Sequence, residues 1–246
     1  PPPYCCVLPV SIAASDEEEE PASKATVARL SGMFWLAQMS DAASLVLLSG
    51  YMADMGFSGT QISSVYATMA LAALVSPFLA GWLADRFFPS QIMLGICYVL
   101  TAPILVAAWQ QTTFRGFWLC IAGVSLLRMP ARTLSNVVAF HHLRDRTRIG
   151  QVRVWGTLGW IFISWCLSGY LRLWEGWDPG GSHMGDALLA SAVISAICGL
   201  YCLSLPHTPP GNQQAGSLGF SASFRLLRNP AFVVLLAIGF VSSTMN

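Results

Sequence analysis

Apolar residues in this chain come in blocks of roughly 20, the length that crosses the hydrocarbon core of a bilayer. The blocks cover residues 30–52, 62–83, 92–109, 116–140, 154–173 and 187–205. A seventh opens near Pro230 in "NPAFVVLLAIGFVSSTMN", where the sequence stops. In lipid each backbone N–H and C=O must be satisfied within the protein, so such blocks can only be helices or closed barrels, and runs this continuous fit helices. The expected fold is therefore all-α, a polytopic membrane helix bundle. The composition agrees: 10% of the residues are charged, against about 25% in soluble domains. Hydrophobic residues make up 54%, and the mean hydropathy is +0.57.

The flanks divide the chain into four parts. Residues 1–28 contain the acidic run Asp16 to Glu20 and read as a disordered tail, with no basic n-region that would mark a signal peptide. Residues 29–206 form the six-helix bundle. Residues 207–229, rich in Pro, Gly and Ser, read as a cytoplasmic linker, and 230–246 as the start of a seventh helix. Six spans, a linker and a new span imply a duplicated architecture of six plus six, of which this sequence holds the first half. One set of helix ends and loops carries nine basic residues and the opposite set only Arg115 and Arg172. That bias places the N-terminus in the cytoplasm of a multi-pass cell-membrane protein. A net charge of +1 from scattered residues gives no footprint for nucleic acid. The seven cysteines form no CxxC pair or Cys/His cluster, so no metal site is expected.

Two stretches carry polar residues in telling patterns. In "GQVRVWGTLGWIF", Arg153, Thr157 and Trp160 fall at i, i+4 and i+7 on one helix face. They could line an inner cavity. Equally, the arginine could snorkel to the membrane surface while the others bond locally or face lipid. In "AGWLADRFF", Gly81 permits close helix approach, and Asp85 and Arg86 mark a membrane surface. Either a gate or a plain interfacial ion pair fits them.

The second stretch resembles the loop motif G-x-L-A-D-R-x-G-R-K of the major facilitator superfamily. Gly81, Leu83, Ala84, Asp85 and Arg86 match, whereas Phe88, Pro89 and Ser90 depart from its last part. The stretches "RMP" and "FHHL" in span four, "VRVWGTLGW" in span five and "LSLPHTPP" after span six are similar to the nucleoside:proton symporters, the nucleoside permeases of that superfamily. The resemblance runs from about Leu30 to Asn246. It implies that Arg153, Thr157 and Trp160 contact a nucleoside, the first two through sugar hydroxyls and the indole by stacking on the base. It implies that Asp85 helps hold an inside gate shut. From span seven it implies contacts at Ser243 and Asn246, of which only Asn246 matches the family well.

Spans one and four depart from the family. "LSGMFWLAQMSDAASLVLLSGYM" lacks the aromatic-rich Q-F-x-x-W-G-x-W pattern and holds Gln38 and Asp41 instead. Span four keeps Met129 and Pro130 but adds Arg128 and Arg132, one turn apart. Charges inside a span normally face a partner or water. Pairing of Asp41 with Arg132 or Arg128 is expected. Three roles stay open: a structural ion pair, a proton- or substrate-sensitive charge, or a sign of an anionic or otherwise altered substrate.

The expected function is proton-coupled nucleoside uptake by alternating access between two six-helix halves. A carrier of a sugar or organic anion, or a non-transporting membrane sensor, are the alternatives. The expected partners are lipid, a small solute and the second half of the same chain. No nucleophile–base pair or phosphate loop points to an enzyme, and no cofactor is expected beyond the coupling proton.

Overall fold

The computed structural model describes residues 24–86, 89–143, 146–177, 181 and 183–205. Seven helices are found there: α1 (Lys24–Leu45), α2 (Leu48–Asp54), α3 (Gly59–Arg86), α4 (Ser90–Gln110), α5 (Phe114–His142), α6 (Arg146–Trp177) and α7 (Asp186–Cys202). No strand occurs among the described residues. The linker and the seventh span, with Ser243 and Asn246, lie outside them. At about 1.5 Å per residue the 21 residues of α4 reach about 32 Å, the thickness of the hydrocarbon core. Both α4 and the Arg148–Trp177 stretch of α6 are long and apolar enough to span by themselves.

Two boundaries differ from the sequence reading. Helix α1 begins at Lys24, inside the stretch 1–28 expected to be a tail. Its first turn is held because Val27 packs against the apolar cluster around Leu30 and Met33. The first span is also broken in two after Leu45. There the Ser44 hydroxyl donates to the carbonyls of Asp41 at 3.0 Å and Ser40 at 3.4 Å. Such side-chain competition for carbonyls bends helices.

The helices form an open arc. α1 packs on α6 and α7, α7 on α4, α4 on α5, and α5 on α3. Short connections make consecutive spans antiparallel, α1 and α2 together counting as the first. Two larger apolar clusters and a smaller one, around Ala42, Ala43 and Ile163, fill the interior. Of the larger two, one joins Leu30, Met33, Leu94, Leu134 and Val138 near the start of α1. The other joins Leu48, Met52, Leu105, Phe117 and Leu188 toward the opposite end. Between them, at mid-helix, lies a polar layer. At the α4–α7 contact the backbones nearly touch: a Cβ on Gly199 would stand 2.8 Å from the Gly95 carbonyl oxygen. Small residues at helix contacts are how membrane helices gain packing area without a hydrophobic driving force.

Candidate functional site: a polar cavity between α1, α5 and α6

Because α5 and α6 flank α1 without closing on each other, a cavity of about 240 Å³ opens between the three. Its α1 wall is Phe34, Ala37, Gln38 and Asp41, one helix face at i, i+3, i+4 and i+7. Arg132, Ser135 and Asn136 face them from α5, Arg153 and Thr157 from α6, and Tyr98 of α4 closes the back. Arg153 and Thr157 are both exposed on this cavity and have no partner among the described residues. Their spacing of one turn aims a guanidinium and a hydroxyl at the same space.

The layer beside the cavity is built on Asp41, 1% exposed. Arg132 Nε donates to its Oδ2 at 2.7 Å, and Arg128 Nη1 lies 3.3 Å from its Oδ1. The second contact is an ion pair without hydrogen-bond geometry, since Oδ1 accepts no hydrogen bond among the described residues. Arg128, itself 6% exposed, is held by a cage of hydroxyls. It donates to Ser44 at 2.5 Å, Ser40 at 2.8 Å, Ser191 at 2.7 Å and Ser195 at 3.2 Å. The serines are cross-linked in turn: Ser191 donates to the Ser40 carbonyl at 2.7 Å, and the Ser40 and Ser195 hydroxyls are 2.6 Å apart. Both arginines thus pair with Asp41, as the need to compensate intramembrane charge requires. A second, mostly apolar cavity of about 70 Å³ borders Asp41, Arg128 and Arg132 from the other side. The charged triad is the partition between the two spaces.

Trp160 is placed elsewhere than the sequence stripe implies. It is absent from the cavity wall and packs, half-buried, against Ala42, Ala43, Ile163, Leu167 and Ala187. The cause is the approach of α6 to α1 one turn earlier. A Cβ on Gly159 would stand 2.7 Å from the Trp35 carbonyl oxygen, and one on Gly156 would stand 2.9 Å from Gln38 Cγ. Past this contact the helices are closed together, so the indole fills a recess left by two alanines of α1. Glycines of "VRVWGTLGW" therefore set the helix contact while Arg153 and Thr157 face the cavity.

Gly81, Asp85 and Arg86 occupy the last turns of α3. The side-chain surroundings of these three lie outside what the structure describes. Sequence reasoning missed Tyr98, Ser135, Asn136 and the serine cage. The repeats Ser40/Ser44 and Ser191/Ser195, each at i, i+4, carried the cage's signal.

An all-α bundle of membrane length, walled around a cavity lined by charged and hydroxyl side chains, has the form of a membrane solute carrier. The chain belongs to the Nucleoside H+ symporter family, whose profile matches residues 24–246. It is 35% identical over 221 residues to the putative nucleoside transporter YegT of Escherichia coli K12, covering 88% of this chain and 51% of that protein. It is 32% identical over 201 residues to the nucleoside permease NupG of the same organism, covering 77% of this chain and 46% of that one. The fold matches the crystal structure of nucleoside transporter NupG with a TM-score of 0.72 at 29% identity, over 85% of this chain and 52% of that one. The chain spans about half the length of the curated relatives it matches. The family expectation drawn from the sequence is met, and the protein is a multi-pass membrane protein.

Proposed function

We propose that this chain forms the first half of a proton-coupled nucleoside carrier that works by alternating access. The observation that carries the reading is the placement of Arg153 and Thr157, both without a partner among the described residues, on a polar cavity in a chain of this family. Guanidinium and hydroxyl groups can bond sugar oxygens from one side. A complete small-molecule pocket encloses about 300–1,000 Å³. The 240 Å³ cavity is in keeping with part of one. Ser243 and Asn246 are proposed to complete it from the seventh span. Gly81, Asp85 and Arg86 are proposed as the inside gate, with the N-terminus in the cytoplasm of the cell membrane, as the basic-residue bias supports.

Uptake of radiolabelled uridine by cells producing the full-length carrier tests this. Uptake should exceed that of empty cells, collapse with a protonophore, and fall at least about tenfold in Arg153→Ala, the loss expected for a hydrogen bond to a charged group. Protonophore-insensitive uptake would exclude proton coupling, and no uptake of any nucleoside would exclude the substrate.

A further inference from the structure

Around the cavity, the described charges do not balance. Asp41 supplies one carboxylate, already shared by Arg128 and Arg132. Arg153 on the opposite wall has no counter-charge among the described residues. Three guanidinium groups against one carboxylate leave a net of two positive charges. Arg128 spends its charge inside the serine cage. Arg132 does not: only its Nε is bonded to Asp41, both Nη groups are without a partner among the described residues, and its side chain is 41% exposed on the cavity. Tyr98, 1% exposed, borders the same space, and its hydroxyl is buried behind the wall with no partner among the described residues. Two guanidinium groups, Arg132 of α5 and Arg153 of α6, thus converge on one space whose described charges sum to a positive net. A guanidinium edge matches a planar anion in two-point geometry, and hydrogen bonds with an ionised partner are about twice as strong as neutral ones.

We propose that the carrier selects nucleosides bearing a negative charge on the base, with Arg132 as the residue that reads it. The proposal rests on the nucleoside reading above and names the substrate class within it. Arg153 and Thr157 hold the sugar, and the Nη groups of Arg132 face the anion. A carboxylate substituent and a deprotonated ring share this chemistry, so two matched pairs separate them. Orotidine is uridine with a carboxylate on the base. Xanthosine differs from inosine by one exocyclic carbonyl oxygen on the base and loses a base proton near neutral pH.

The test is inhibition of labelled-uridine uptake by each of the four unlabelled nucleosides in cells producing the full-length carrier. Orotidine should inhibit at a concentration at least about tenfold below uridine, or xanthosine at least about tenfold below inosine, the factor expected of one charge-assisted contact. Whichever pair shows the gap identifies the form of the anion. In Arg132→Gln the ratio within that pair should fall to near one, and in Arg132→Lys, which can still pair with Asp41, it should fall only part of the way. If both neutral members inhibit as well as their anionic partners, the charge selectivity is wrong, whatever the folding of the variants. If the gap survives undiminished in Arg132→Gln, its assignment to this residue is wrong. Failure of all four to inhibit overturns the nucleoside reading itself.

Discussion

Asp41 serves two arginines at once, so its neighbours respond unequally to its loss. Asp41→Asn leaves the buried Arg128 beside the half-exposed Arg132 without a counter-charge. Breaking a buried ion pair in this way costs about 3–5 kcal/mol. Arg128→Met removes the most buried cation, keeps the 2.7 Å bond between Arg132 and Asp41, and leaves serines that already bond one another. Thermal unfolding in detergent should therefore rank Asp41→Asn as clearly less stable than Arg128→Met; the reverse order would mean that the serine cage, not the carboxylate, holds the layer. Exchanging Asp41 and Arg132 should not restore the wild type, because the new arginine on α1 would face Arg128. The pairing was legible in sequence, since a charge in a span demands a partner. The cage was not. A serine in a helix ordinarily returns its hydroxyl to the carbonyl one turn back, as Ser125 does to Ile121 at 2.8 Å, and nothing local marks one that turns across to another helix.

Helix α6 meets α1 closely at two glycines, Gly156 and Gly159. Replacing Gly159 by alanine would press a methyl group onto the Trp35 carbonyl, and overpacking of this kind costs about 1–3 kcal/mol. Gly169, on the same helix with nothing within 4 Å of its would-be Cβ, is the matched control. There alanine should be neutral or stabilising by up to about 1 kcal/mol through helix propensity. Melting temperatures of the two variants measure the difference, and equal shifts would show that α1 and α6 do not meet as described. The spans themselves were legible because apolar blocks of bilayer length admit few other structures. The division of α1 from α2 was not: it depends on where one serine hydroxyl points. Trp160 was misplaced for a related reason. A helical stripe gives direction around the axis, but the distance to the neighbouring helix changes along it, so a residue on the cavity face can still be covered one turn later.

Apolar exposure has two meanings in a membrane bundle, and the carrier reading requires both on one helix. Leu158 is 43% exposed beside Thr157, yet the two differ by about 100° around the α6 axis and only Thr157 lines the polar cavity. If the cavity holds water and Leu158 faces acyl chains, two exposed neighbours must show unequal chemistry. In a full-length carrier whose own cysteines are replaced, Thr157→Cys should react with a charged, membrane-impermeant thiol reagent at least about tenfold faster than Leu158→Cys, because an ionised reagent pays several kcal/mol to enter hydrocarbon. Saturating substrate should slow the reaction at position 157 and leave position 158 unchanged. Reaction of both at one rate would mean that the space between α1, α5 and α6 is not the aqueous path. Protection at neither would separate a wet cavity from a substrate site. The same helix is then asked to do three things by angle alone: its glycines close on α1, its arginine and threonine open to water, and Leu158 meets lipid or another part of the protein. A chain of this composition can assign those tasks only by the 3.6-residue period, which is why a substitution that rotates α6 by even part of a turn should cost transport before it costs the fold.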